Sequence, residues 1–226
     1  MKRTNTNAIF CLITILVLVL ACASGYNKHA DQYFEEGMLF YERMEYERSI
    51  ESFDKVLELA PYGKDNNIVY YNRGMAFLKS RQYEKSAYDF SKALEQTSNS
   101  NKTLKFDLLM NRGNAYQKSE QFDLAVKDYT GAIQLIPEHE NIKFIYTNRA
   151  WVWFAKGDYD KAVDDFGKAI KIDSGLDEAY YGRATVWFKK GDSQRALIDA
   201  KEAVKLKPTK REYDNLLYDI RSSMKK

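Results

Sequence analysis

The sequence predicts an all-α chain built as a row of helical hairpins, and three observations carry that prediction. Related phrases recur along it, "YYNRGMAF", "LLMNRGNAY", "YTNRAWVWF" and "YYGRATVWF". Together with a weaker first copy, they centre on Gly37, Gly74, Gly113, Ala150 and Ala184, at spacings of 37, 39, 37 and 34 residues, the range of helical repeat arrays. Around each centre, apolar residues return in steps of four and three, one face of a helix. Only 3 of the 226 residues are proline, with 45% hydrophobic and 30% charged. That balance favours helix and is far from disorder.

Residues 1–21 read as an address. Lys2 and Arg3 form a short basic start, followed by an apolar run of 13 residues from Ala8 to Leu20. Such a run fits a secretory signal and falls short of the roughly 20 residues of a spanning helix. It ends at Val19-Leu20-Ala21-Cys22, which resembles the bacterial lipobox. The resemblance implies cleavage before Cys22 and lipid attachment to it; ordinary cleavage after Ala23 is the alternative. The only other cysteine, Cys11, leaves with the signal, so the mature chain has no disulfide. Residues 22–29 would tether the lipid to the first hairpin. The net charge of +3 falls to +1 once Lys2 and Arg3 are removed, which gives no electrostatic footprint for nucleic acid.

Five units follow over residues 30–208, bounded at 30–66, 67–105, 106–142, 143–176 and 177–208. In each, the columns before the turn are Tyr33, Tyr70, Leu109, Tyr146 or Tyr180, then the small residue, then Phe40, Phe77, Tyr116, Trp153 or Trp187. After the turn come Ser49, Ser86, Ala125, Ala162 or Ala196, then Phe53, Phe90, Tyr129, Phe166 or Ala200, then Val56, Ala93, Ala132, Ala169 or Ala203. "KGDY" at 156–159 is the clearest turn, with glycine where a helix stops. Pro61, Pro137 and Pro208 all stand 24 residues after their small residue, where the second helix should end. "YGKDNN", "TSNSNKTLK" and "EHENIK" read as lengthened linkers. In residues 209–226, Tyr213, Leu216, Leu217, Ile220 and Met224 follow helical spacing and predict a capping helix. Ser193 and Ala200 replace aromatics of the sibling units and leave room for it.

This column pattern resembles the tetratricopeptide repeat, a helix–turn–helix unit of about 34 residues. The resemblance covers nearly all of the mature chain. It implies a right-handed α-solenoid whose shared core no single unit could bury alone.

Arg73, Arg112, Arg149 and Arg183 each precede, by sixteen residues, Asp89, Asp128, Asp165 and Asp199. The first unit has Glu36 and Ser52 at those places, so arginine and aspartate come and go together. An ion pair joining the two helices of a unit explains this, because a guanidinium fork can grip a carboxylate bidentately. Capture of an acidic ligand by the arginines is the competing reading.

In tetratricopeptide repeats the first helix of each unit lines the partner-binding groove. The resemblance would place there Asn72, Asn111, Asn114 and Asn148, with Tyr41, Tyr71, Trp151, Phe154, Tyr181 and Phe188. Asparagine can donate to and accept from an extended peptide, and amphipathic aromatics make anchors; solvated asparagines and packed aromatics are the bland reading. Some members clamp a terminal carboxylate with cations, but here Met110, Glu178 and Gly182 stand where those cations belong. With two histidines, His29 and His139, in a tether and a linker, and no phosphate loop or metal-spaced cluster, no catalytic site or cofactor is expected. The resulting expectation is a lipid-anchored protein-binding scaffold of the bacterial envelope, facing the periplasm from the outer membrane because Ala23 follows the cysteine. Self-association as a homo-oligomer stays open, as does, with much less in its favour, a small-molecule binder or enzyme.

Overall fold

A computed structural model describes residues 28–225. The signal sequence, Cys22 and most of the tether lie outside the described residues. Eleven helices follow one another without a strand among the described residues. They are α1 (28–42), α2 (Tyr46–Leu59), α3 (Asn66–Lys79), α4 (Tyr83–Gln96), α5 (Lys102–Lys118), α6 (Phe122–Leu135), α7 (Ile142–Ala155), α8 (Tyr159–Ile172), α9 (Asp177–Lys189), α10 (Ser193–Leu206) and α11 (Arg211–Ser223). They pair as five hairpins and a final helix, the predicted fold class. The chain forms two compact units, one ending at Thr97 and the other beginning at Ser98. The first holds hairpins one and two; the second holds hairpins three to five and α11.

Hairpins one to four close where a small residue meets an aromatic ring sixteen positions later, while in hairpin five Ala184 meets Ala200. A Cβ on Gly37 would lie 2.8 Å from the Phe53 ring, on Gly74 2.9 Å from Phe90, and on Gly113 2.7 Å from Tyr129. The absent side chain lets the two helices approach. In hairpins one and two the buried hydroxyls of Ser49 and Ser86 donate to the Gly37 and Gly74 carbonyls at 2.8 Å, tying the same crossing. In hairpins three to five alanine takes that place and simply packs.

Every turn has one construction. Seven residues after the small residue, Met44, Arg81, Glu120, Gly157 and Gly191 adopt a left-handed backbone, φ +60 to +82°. The next amide returns to the carbonyl of the aromatic column: Glu45 to Phe40, Gln82 to Phe77, Gln121 to Tyr116, Asp158 to Trp153 and Asp192 to Trp187, at 2.8–2.9 Å. That bond satisfies one of the carbonyls a helix end leaves open. The sequence displays this turn only where glycine occupies it.

Two expectations need correction. The "TSNSNKTLK" linker is partly helix, and α5 begins four residues before the expected boundary at 106. Asn101 accepts a bond from the Leu104 amide at 3.1 Å and caps an extra turn. Met224 leaves the apolar face of α11 and is 46% exposed at its end, while Tyr213, Leu217 and Ile220 are buried. Leu217 and Ile220 cover Ala184, Ala196 and Ala200 of the last hairpin, so α11 is the expected cap.

Candidate protein-binding site

The arginines sit between the two helices of their hairpins. Each presents Nε and Nη2 to both oxygens of one aspartate, at 2.7 and 2.8 Å for Arg73–Asp89, 2.7 and 2.7 Å for Arg112–Asp128, 2.7 and 2.8 Å for Arg149–Asp165, and 2.8 and 2.8 Å for Arg183–Asp199. The aspartates are buried. The bond to Asp199 raises the Arg183 pKa further, against the opposing effect of burial. Arg73 and Arg149 also reach back to the preceding hairpin, Arg73 to Asp54 at 2.6 Å and Arg149 to the Thr130 hydroxyl at 2.8 Å. Both partners stand nineteen residues earlier. Ala93 and Asp164 occupy that place for the other two arginines, so no constant residue type marked the column.

In the second unit α5 touches α7, α7 touches α9 and α9 touches α11, so first helices form one wall. Asn114 of α5 accepts from the Tyr129 hydroxyl at 2.7 Å and from the Asn148 amide of α7 at 3.0 Å. Its carbonyl therefore serves the wall itself. Trp151 stands half-buried, edge-on to Phe166 (5.2 Å between centroids) and to Phe154 (5.9 Å), and 6.1 Å from Tyr181. Tyr181 stacks on Tyr213 of α11 at 4.7 Å and 26°. The result is a row of rings, Phe154–Trp151–Tyr181–Tyr213, whose backs are held by the core. Phe188 is half-buried against the core beneath α11. Trp153, placed by its column in the core, is half-buried and covered by the Lys161 ammonium at 4.4 Å.

Tyr213 is 1% exposed, and its hydroxyl donates to Asp177 at 2.7 Å while Lys210 approaches both. Nothing marked this set in the sequence beyond the apolar spacing of α11.

Asn111 is a correction. It is 7% exposed, turned into the packed side of α5, and offers no surface to a partner. In the first unit Asn72 and Tyr71 are half-buried on α3. The Asn72 amide donates back to the Ile68 carbonyl at 2.9 Å. Tyr41 leans edge-on against Tyr46 at 5.7 Å.

Among the described residues, no group of three or more histidine, cysteine, aspartate or glutamate side chains could hold a metal, and no helix is long and apolar enough to cross a membrane. His139 lies stacked on Phe106 at 3.8 Å.

Fold and wall together define a helical-hairpin repeat protein. Tetratricopeptide-repeat family models match residues 105–175, and residues 34–101 with 147–210. The chain belongs to the tetratricopeptide-repeat family. Its fold is that of protein–protein interaction modules. Among solved structures, it is similar to YrrB, "a TPR protein with an unusual peptide-binding site", at 22% identity over 88% of this chain and 99% of that one, TM-score 0.67. A MamA from Desulfovibrio magneticus is 16% identical over 81% of this chain and 97% of that one, TM-score 0.70. The first repeat domain of Spaghetti, solved with an HSP90 peptide, is 25% identical over 54% of this chain and 94% of that one, TM-score 0.51. No curated protein sequence matches.

Proposed function

We propose that the protein is a lipid-anchored scaffold of the bacterial cell envelope that binds an extended segment of a protein partner. The carrying observation is the wall of the second unit, where Asn114 and Asn148 adjoin the half-exposed rings of Trp151, Phe154 and Tyr181. Rings fixed from behind bury area on a partner without losing much side-chain freedom. YrrB and Spaghetti, whose structures carry a peptide-binding site and a bound peptide, support a peptide ligand. The cations of a carboxylate clamp are replaced here by Met110, Glu178 and Gly182, so the ligand is an internal segment with apolar side chains.

The anchor rests on Val19-Leu20-Ala21-Cys22 after the apolar run, with Ala23 favouring the outer membrane. Cells grown with a fatty-acid probe should label the parent protein and leave Cys22→Ala unlabelled and off the membrane. A Cys22→Ala protein that remains membrane-bound would refute the anchor.

A further inference from the structure

Hairpins one and three share one loop register after their second helix. The Gly63 and His139 amides donate to the Ala60 and Ile136 carbonyls at 3.0 and 3.2 Å, and the Asn66 and Ile142 amides then donate to the Gly63 and His139 carbonyls at 3.1 and 2.9 Å. Ala60 and Ile136 even share a backbone conformation, φ −133°, ψ 63° and φ −143°, ψ 82°. The side chains differ. In hairpin three the corner between the first helix and this loop is filled by Phe106, Ile136, His139 and Ile142. The same four positions in hairpin one are Ala30, Ala60, Gly63 and Asn66.

The other hairpins close the corner as well, by Asn67 to Thr97, by Lys143 to Asp173 at 2.7 Å, and by Asp177 to Lys210 and Tyr213. Only hairpin one, among these five, carries three small residues there. A cavity of about 850 Å³ occupies the place, lined by Ala30, Phe34, Val56, Ala60, Ile68 and Val69. That is within the usual range for ligand sites.

Loss of so much buried bulk would ordinarily draw the loop inward or destabilise the hairpin. Here Asn66, 3% exposed, holds the loop open: its amide donates to the Ala60 and Pro61 carbonyls at 2.9 and 3.1 Å. Its donors are thereby used, which leaves the apolar side chains of the corner as its main contact surface, with Asp31, Lys64 and Asp65 also lining the cavity. At the mouth Tyr62 is 98% exposed.

We infer that this corner is a binding site for an aromatic side chain presented by a protein partner, a site separate from the wall of the second unit. The chemistry is read from hairpin three, where the equivalent space takes a ring stacked face to face on another at 3.8 Å. The incoming ring packs between Phe34 and the loop, taking the place that Phe106 and His139 fill for themselves.

The test titrates the protein, purified as cells produce it, with 5-fluorotryptophan amide followed by fluorine NMR. Saturable binding near ~1 mM is expected for a probe of this size. Ala30→Phe and, independently, Ala60→Ile each restore one residue of hairpin three. Either should weaken probe binding at least tenfold while melting no earlier than the parent. Trp151→Ala should leave this binding unchanged, which separates the corner from the wall. Unchanged binding in both filled variants, or no saturable binding at all, overturns the inference. So does tight binding of a fluorescent fatty acid that displaces the probe, which would make the corner an acyl site.

Discussion

Arg112 and Asp128 show how one pair can be both costly and indispensable. Burial disfavours each charge alone, and the two parallel bonds at 2.7 Å work against that cost. Asp128→Ala should therefore cost roughly 3 kcal/mol, and a double-mutant cycle with Arg112→Ala should show a coupling energy of about 1–3 kcal/mol in chemical denaturation. Additive losses would contradict the strut. Tyr213 carries a pH dependence. Burial pushes its phenol up to about 12, from an ordinary 10.0. The folded state holds that proton more tightly, so the contribution is whole below pH 10 and is lost as the pH rises through about 12. Alkaline melts should show this loss in the parent and lack it in Tyr213→Phe. The strut was legible because arginine and aspartate vary together across units. Asn111 was not, since a residue beside a column arginine reads alike whether its side chain turns outward or into the packing.

At the scale of the hairpin, backbone geometry repeats more faithfully than residue type. Met44, Arg81 and Glu120 adopt the same left-handed turn as Gly157 and Gly191, against a steric cost of about 1–2 kcal/mol for a residue with a Cβ. Replacing Arg81 or Glu120 with glycine should stabilise by roughly 0.5–1 kcal/mol after the added freedom of the unfolded chain is subtracted; a lower denaturation midpoint would oppose this. At the crossing the sign reverses. Gly113→Leu drives a side chain into the Tyr129 ring, 2.7 Å from where its Cβ would start. Overpacking of this kind should lower stability by about 1–3 kcal/mol or more, read by thermal melting. The small column was visible because packing demands it in every copy. The turn was hidden because main-chain bonds alone build it, and three different side chains tolerate it.

Across the molecule, the repeat period and the face pattern were enough to predict helices and cap, since each hairpin must bury its face on a neighbour. The binding wall was only partly legible. Asn114 and Asn148 read as groove residues, yet the Asn114 carbonyl is occupied by Tyr129 and Asn148, and Trp151 belongs to core and surface at once. Such double duty follows from three-dimensional neighbours fifteen to thirty-four residues apart, on other helices, which no local pattern displays. The open corner of hairpin one was likewise unread, because small residues in a linker look alike whether or not they border a cavity.

The central claim is that the first-helix wall of hairpins three to five holds a partner segment. A photo-crosslinking residue placed at 151 and at 181 in cells, with Ile198 on the second helix α10 as the outlying control, tests it most directly. One and the same protein should be captured from 151 and 181 and not from 198, and that protein, purified, should lose at least tenfold in affinity for Tyr181→Ala. Equal capture from all three positions, or an affinity untouched by Tyr181→Ala, would contradict the wall as the binding site.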